Sequence, residues 1–218
     1  MHSLFKILIM TTVLNATGTS TVAQKPGKKA LLVIDVQENL LDCNSKLHME
    51  IASIPSFLKN LNQSILFFQE NNLPVIYTVN LWTNPILNML TGNACKKGAK
   101  GTGIDKRVKL ANRTIYEKSK MNVLSNTEVI EFLKTNAISE LYITGLFAEA
   151  CVRETAKSAI KKGYNVTIIE DAVGSKSERK KLKSTNICAG KGATIIKAGQ
   201  LEPVPVEAST AKPQSAVE

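Results

Sequence analysis

The sequence predicts an α/β protein of the three-layer α/β/α class, with a six-stranded, mainly parallel sheet. Short apolar runs alternate with amphipathic helical stretches through most of the chain. The first run, residues 30–36, is apolar except for one aspartate, as expected for a central parallel strand buried on both faces. A second stretch, residues 141–163, changes from a strand pattern to the 3.6-residue period of a helix. Such strand–helix units favour a parallel, Rossmann-like sheet with helices on both faces.

The chain of 218 residues divides into three predicted parts. Residues 1–23 have a lysine, a short apolar run and a small-residue cleavage site, which is typical of a signal peptide. Residues 24–199 suit one α/β domain, and residues 200–218 are too poor in large apolar residues to order themselves. We therefore expect an exported protein, periplasmic or secreted, with no stable membrane anchor after signal cleavage.

The amino-terminal half of the domain contains two strands, one helix and a long connection. Ser53 can cap the helix at residues 53–70, and Pro55 suits its first turn. Its apolar stripe consists of Ile54, Phe57, Leu58, Leu61, Ile65 and Phe68. Residues 73–79 form the second predicted strand. The connection at residues 80–112 has the length of a functional lid or binding segment.

Four strands and three helices complete the domain. A short strand at residues 113–118 precedes a helix that Asn126 or Thr127 caps and that runs to residue 136. In the stretch from residue 141, the helical stripe begins at Val152, and Gly163 suits the position just beyond the helix end. The remaining predicted elements are a strand at 165–169, a basic helix at 177–189 and a strand at 193–197.

Three reactive side chains stand at or just past the carboxyl ends of different predicted strands: Asp35, Lys118 and Cys151. Ligands of open parallel sheets bind outside these strand ends, so we expect the three side chains to meet. Each residue also has a simpler interpretation. Cys151 could be a buried structural cysteine, Asp35 a helix or loop cap, and Lys118 an exposed lysine. The convergence of all three favours a functional site.

An acid, an amine and a thiol at one site suit nucleophilic catalysis. Asp35 can take the thiol proton, and Lys118 can keep Asp35 ionised. The thiolate would attack a carbonyl to form a thioester, while backbone N–H groups of Phe147 and Cys151 hold the oxyanion. Because Cys151 lies near the start of a helix, we expect its thiol pKa to be lowered.

Composition argues against two other classes of protein. The formal charge is +10, but the basic clusters at 96–109 and 176–183 contain no aromatic residue, so we expect no nucleic-acid groove. The four cysteines, at positions 43, 95, 151 and 188, are too widely spaced for a dense disulfide framework. Pairing of Cys43 with Cys95 stays open at this point.

The chain resembles the isochorismatase-like cysteine hydrolases, which include nicotinamidases, N-carbamoylsarcosine amidases and isochorismatases. The resemblance extends from Ala30 to Gln200 and rests on three blocks: LLVIDVQENLLD, KSKMNVLSNT and ITGLFAEACVRETAKSAIKKGYNVTIIEDAVGS. It implies a catalytic triad of Asp35, Lys118 and Cys151. It also implies a non-proline cis peptide between Leu146 and Phe147 that directs the next N–H into an oxyanion hole, and a homo-oligomer.

Two departures from the family pattern bear on the substrate. Nicotinamidases of the family hold a metal with an aspartate and histidines, whereas this chain has only His2 and His48. The corresponding segment reads NLWTNPILNMLTG. We therefore predict no metal and no cofactor. Glu149 and Ala150 replace the aspartate and aromatic residue that often precede the nucleophile.

The leading hypothesis is an exported, metal-independent cysteine hydrolase that cleaves the C–N bond of a small amide or carbamoyl compound. The alternatives are a metal-dependent nicotinamidase, a non-catalytic protein that binds a small molecule on the same fold, and an enzyme that pairs a cysteine with His48.

Overall fold

A computed structural model describes residues 27–203 of the chain. The predicted signal peptide at residues 1–23 lies outside the described residues, as do residues 204–218 of the predicted tail. The strands of the described part are Lys28–Ile34 (β1), Val75–Asn80 (β2), Ile115–Lys118 (β3), Ile138–Gly145 (β4), Asn165–Val173 (β5) and Thr194–Ile196 (β6). Its α-helices are Ile54–Glu70 (α1), Pro85–Leu90 (α2), Thr127–Thr135 (α3), Arg153–Lys161 (α4) and Glu178–Ala189 (α5).

The six strands form one sheet in the order β3-β2-β1-β4-β5-β6, and every neighbouring pair is parallel. The predicted three-layer α/β class is thereby confirmed. Successive strands are added outward from β1 on one side of the sheet and outward from β4 on the other. The strand order therefore reverses between β1 and β4. In sheets of this kind the crevice outside the carboxyl ends of the two central strands is the usual ligand site. Asp35 follows β1, and Cys151 lies shortly after β4.

Alternate residues of β1 face opposite layers of the core. Leu31 and Val33 pack on the side that α1 covers, and Leu32 and Ile34 pack on the side of α3, α4 and α5. All four are fully buried, which explains why the run around them is apolar without alternation. The central strands are therefore fixed from both faces, and their carboxyl ends have fixed positions.

The helix caps agree with the sequence prediction in part. The side chain of Asn126 accepts a hydrogen bond from the N–H of Val129, and α3 follows directly. The prediction that Ser53 caps α1 is wrong. Its hydroxyl donates instead to the carboxylate of Glu50, and its backbone is already helical because a short 3₁₀ turn precedes α1.

Three features of the fold differ from the sequence interpretation. Helix α2 lies inside the predicted long connection. Strand β5 continues to Val173, because the polar pair Glu170 and Asp171 only interrupts an apolar pattern that Ala172 and Val173 resume. Cys151 lies in a single π-helical turn, Ala148–Val152, and α4 begins after it.

The folded part extends slightly beyond the predicted boundary at residue 199. Gln200 ends a 3₁₀ turn, and the side chain of Leu201 packs, partly buried, against the core on the α1 side. Over residues 27–203, no helix combines the length and the apolar character needed to cross a bilayer.

Candidate active site

Asp35 is the first residue beyond β1, and it adopts a left-handed backbone conformation with φ of 53°. Few non-glycine residues adopt this conformation, and it turns the chain sharply at the strand end. The backbone N–H of Asp35 donates to the carbonyl of Thr78, and the Thr78 hydroxyl donates to Oδ1 of Asp35 at 2.9 Å. The carboxylate is therefore buried and held by the neighbouring strand.

Lys118 is the last residue of β3, and its ammonium group lies between the other two predicted site residues. Its Nζ atom donates to Oδ2 of Asp35 at 2.6 Å, to Sγ of Cys151 at 3.4 Å and to the carbonyl of Lys120 at 3.1 Å. The Lys118 side chain is 1% exposed. The structure thus brings Asp35, Lys118 and Cys151 together, in an arrangement that two strand ends and one helical turn determine.

Gly145 closes β4 at a point where only glycine fits. Its φ is 102°, and an added Cβ atom would lie 2.1 Å from the carbonyl oxygen of Ile34. The next N–H, that of Leu146, donates to the same carbonyl at 2.7 Å. The peptide bond between Leu146 and Phe147 is cis. The chain then enters the π-helical turn that positions Cys151 beside Lys118.

The electrostatics of the site reverse one expectation from the sequence. Burial, followed by the negative charge of Asp35, raises the pKa of the Cys151 thiol well above its ordinary value, although Lys118 opposes this. The predicted lowering of this pKa is wrong, because the π-helical turn places the thiol deep beside a carboxylate and not at a solvated helix end. Burial works against the charge on Lys118, but Asp35 and Cys151 outweigh it and raise the Lys118 pKa. The site therefore rests as a neutral thiol beside a carboxylate–ammonium pair.

A cavity of about 240 Å³ opens onto Cys151. Its walls are mostly apolar, and its polar lining consists mainly of the groups around Cys151 and of two exposed lysines. Its lining includes Asp35, Leu47, Asn80, Trp82, Cys95, Met121, Phe147, Cys151, Lys176 and Lys180. The connection that the sequence marked as a possible lid or binding segment contributes Asn80, Trp82 and Cys95 to this wall. A small molecule with an apolar body fits such a space.

Family comparison identifies the chain directly. The Isochorismatase domain matches residues 29–200, which is most of the sequence. The chain belongs to the isochorismatase-like hydrolase family. The resemblance inferred from the three sequence blocks is thereby confirmed.

Two curated relatives and one solved structure illustrate the range of this family. The chain is 26% identical over 144 residues to the uncharacterized isochorismatase family protein YddQ of Bacillus subtilis, covering 66% of this chain and 76% of that protein. It is 28% identical over 114 residues to an N-carbamoylsarcosine amidase of an Arthrobacter species, covering 47% and 43% respectively. The crystal structure of N-carbamoylsarcosine amidase from Thermoplasma acidophilum superposes with a TM-score of 0.66 at 24% identity, covering 80% of this chain and 99% of that chain.

The other candidate groups from the sequence, His48 and a possible metal site, do not join Cys151 at the cavity in the described part of the chain. His48 does not line the cavity, and its Nδ1 atom pairs with the backbone carbonyl of Met49 at 2.7 Å. Within residues 27–203 there is no group of three or more His, Cys, Asp or Glu side chains placed to hold a metal ion. All four cysteines are free, so the open question of a Cys43–Cys95 disulfide is answered in the negative for this structure.

Sequence reasoning missed three residues that build the site: Thr78, Asn80 and Gln37. The Thr78 hydroxyl donates to the Asp35 carboxylate, and the Nδ2 atom of Asn80 lies 3.8 Å from Sγ of Cys151. Gln37 is fully buried and bonds to both backbone groups of Asn80. Asn80 ends β2, so the strand-end rule that found Asp35 and Lys118 applied to it as well. The sequence alone does not single out this asparagine, because this residue type is common at the start of a loop.

Proposed function

We propose that this protein hydrolyses the C–N bond of a small amide or carbamoyl compound through a thioester on Cys151. The observation that supports it best is the position of the Lys118 ammonium, 2.6 Å from the Asp35 carboxylate and 3.4 Å from the Cys151 sulfur. A buried lysine bound only to a carboxylate would be a structural ion pair. Because Lys118 also contacts a thiol that faces a cavity, its ammonium group is placed to stabilise negative charge that forms during a reaction there.

The first half of the reaction transfers the substrate's acyl group to sulfur. As Sγ of Cys151 attacks the substrate carbonyl carbon, the thiol proton moves to Asp35, and the carbonyl becomes an oxyanion. The N–H groups of Phe147 and Cys151 are the proposed donors to this oxyanion. The intermediate collapses when the C–N bond breaks and the departing nitrogen takes the proton from Asp35. An amine or ammonia leaves, and a thioester to Cys151 stays.

The second half releases the acid. Asp35 takes a proton from a water molecule, whose oxygen attacks the thioester carbonyl. The C–S bond then breaks, and the proton passes from Asp35 to sulfur, which restores the neutral thiol. Lys118 keeps its charge throughout, because its pKa is raised, and it stabilises each negative charge that forms beside it.

The similar proteins support this reaction class. An N-carbamoylsarcosine amidase of an Arthrobacter species, to which this chain is similar, is named for cleavage of a carbamoyl compound. The cavity of about 240 Å³ sets the size of the substrate, and its apolar walls favour a compound with an apolar body.

We further propose that the enzyme acts outside the cytoplasm, on the basis of the predicted signal peptide. Amino-terminal sequencing of the exported form tests this, and it should show cleavage after Ala23.

A hydrolysis screen tests the reaction. Purified protein is incubated with panels of primary amides, ureas and N-carbamoyl compounds, and release of amine or ammonia is measured. The matched control is Cys151→Ala, which lacks the nucleophile and should show no turnover of any hit. Intact mass spectrometry during turnover should detect an acyl adduct on Cys151. Tight binding without turnover of any panel would favour the alternative of a non-catalytic binding protein.

A further inference from the structure

We infer that the side-chain carbonyl of Asn80 selects the substrate. It accepts a hydrogen bond from the N–H of the substrate nitrogen that is bonded to the carbon attacked by Cys151. The site would then prefer primary amides and carbamoyl compounds over the corresponding esters. The inference deepens the proposed function and rests on it for its catalytic meaning, although the selectivity can be measured without turnover.

The Oδ1 atom of Asn80 is a buried acceptor without a partner among residues 27–203. Asn80 is 3% exposed and lines the cavity at Cys151. The other side-chain atom, Nδ2, lies 3.8 Å from Sγ of Cys151. Buried polar atoms are nearly always paired, because an unpaired acceptor costs about 1–3 kcal/mol. An unpaired acceptor beside the nucleophile therefore points to a ligand that donates there.

The unpaired carbonyl does not result from a loosely held residue. The N–H of Asn80 donates to Oε1 of Gln37 at 2.9 Å, and Nε2 of Gln37 donates to the carbonyls of Asn80 and Thr102 at 3.3 Å and 2.8 Å. Asn80 also pairs in register with Lys118 on β3. The backbone is thus fixed by a fully buried glutamine and by the neighbouring strand, which holds the side chain at the cavity.

The two carboxylates that line the cavity already have partners. Asp35 accepts from Lys118 and Thr78, and the Glu149 carboxylate accepts from the Ser175 hydroxyl at 2.7 Å. Asn80 thus offers an unfilled acceptor next to the reacting atoms. An amide nitrogen is bonded directly to the carbon under attack, so its N–H lies close to the nucleophile when the carbonyl does. The corresponding oxygen of an ester has no hydrogen to donate.

Discrimination should be substantial because a mismatch leaves a buried group unpaired. Sites built to hydrogen-bond a substrate N–H reject analogues that lack it more strongly than apolar pockets reject a missing methylene. A loss of about tenfold in affinity lies within the range that the cost of an unpaired buried acceptor implies. The same argument makes Asn80 a residue that contacts substrate directly, in contrast to Gln37, which positions it.

The test measures binding in the Cys151→Ala protein, where no turnover can occur. The probes are benzamide and methyl benzoate, which share a ring and a carbonyl. Benzamide has an NH₂ group on the carbonyl carbon, whereas the ester has a methoxy group there and no N–H. Calorimetry should show benzamide binding about tenfold or more tightly than the ester. Adding Asn80→Leu, which is similar in size but apolar, should reduce this preference by about tenfold. Should that variant fail to fold, Asn80→Ala serves the same comparison.

The matched control is Asn88→Leu. Asn88 also has a buried Oδ1 atom without a partner in the described part of the chain, yet it does not line the cavity. Its substitution should leave the amide preference unchanged. Equal affinity for both probes, no binding of benzamide, or an equal loss for both probes in Asn80→Leu would overturn the inference. If the active protein turns over no amide while the preference is found, the proposed reaction fails and the role of Asn80 in binding stands.

Discussion

Lys118 and Asp35 lie 83 residues apart in the chain and form an ion pair of 2.6 Å whose side chains are 1% and 2% exposed. Burying two charges has a desolvation cost that only good geometry and further hydrogen bonds offset. Here the Thr78 hydroxyl and the Lys120 carbonyl supply those further bonds. Changes to this pair should therefore affect the stability of the fold as well as the proposed reaction.

Removing the positive charge alone should destabilise the fold. We expect Lys118→Met to lower the free energy of unfolding by about 3–5 kcal/mol, because the Asp35 carboxylate is left buried and unpaired. The double variant Lys118→Met/Asp35→Asn should recover most of this loss, since no charge is then uncompensated. Urea denaturation of the three proteins checks this. Equal destabilisation by the single and double variants would contradict it.

Asp35 and Cys151 should act as one unit in catalysis. Asp35→Asn and Cys151→Ala should each lower turnover by about 10³-fold or more, since one removes the base and the other the nucleophile. The double variant should be scarcely worse than either single variant. Steady-state rates on a substrate from the screen measure this. Additive losses would show that the two residues work independently.

Stability should fall with rising pH in a way that depends on Cys151. Its pKa in the folded protein is above the ordinary 9.0, so the folded state keeps a proton that the unfolded chain loses. This contribution is fully present below about pH 9 and disappears as pH rises further. Compared with the unchanged protein, Cys151→Ala should therefore show a shallower decline in the free energy of unfolding between about pH 8 and about pH 10. Identical slopes would argue against a protonated thiol.

Alkylation should reveal the same protonated thiol. At about pH 7 we expect iodoacetamide to label the exposed Cys43 at least about tenfold faster than Cys151. Burial and the charge of Asp35 also raise the pKa of Cys95 to about 12, so that thiol should react slowly. Peptide mapping after brief labelling reads out the order. Preferential labelling of Cys151 would restore the original expectation of a lowered pKa.

Turnover should survive a strong chelator. The reason is that His48 is the only histidine among residues 27–203 and does not line the cavity at Cys151. We expect rates after EDTA treatment to stay within about twofold of the untreated rate. A loss that added zinc restores would support the metal-dependent alternative.

The sequence predicted the sheet and the meeting of three strand-end residues, because buried strands and a parallel topology leave strong local patterns. Other parts of the site depended on information that no local pattern contains. The thiol pKa depends on the depth of Cys151 beside Asp35, which only the packed chain defines. The role of Gln37 rests on bonds to Asn80, 43 residues away. Ser53 does not cap α1, because the preceding 3₁₀ turn already gives it a helical backbone and its hydroxyl donates to Glu50.

The close approach of Gly145 to Ile34 has a consequence for re-engineering the enzyme. It ties the ends of β1 and β4 through main-chain atoms, so the spacing of Asp35 and Cys151 does not depend on the other residues that line the cavity. Leu47, Trp82 and Met121 lie on connections outside the sheet, and they line the cavity. A library confined to these three positions should shift substrate preference while the reaction centre stays intact, whereas any side chain at position 145 would push the two strand ends apart.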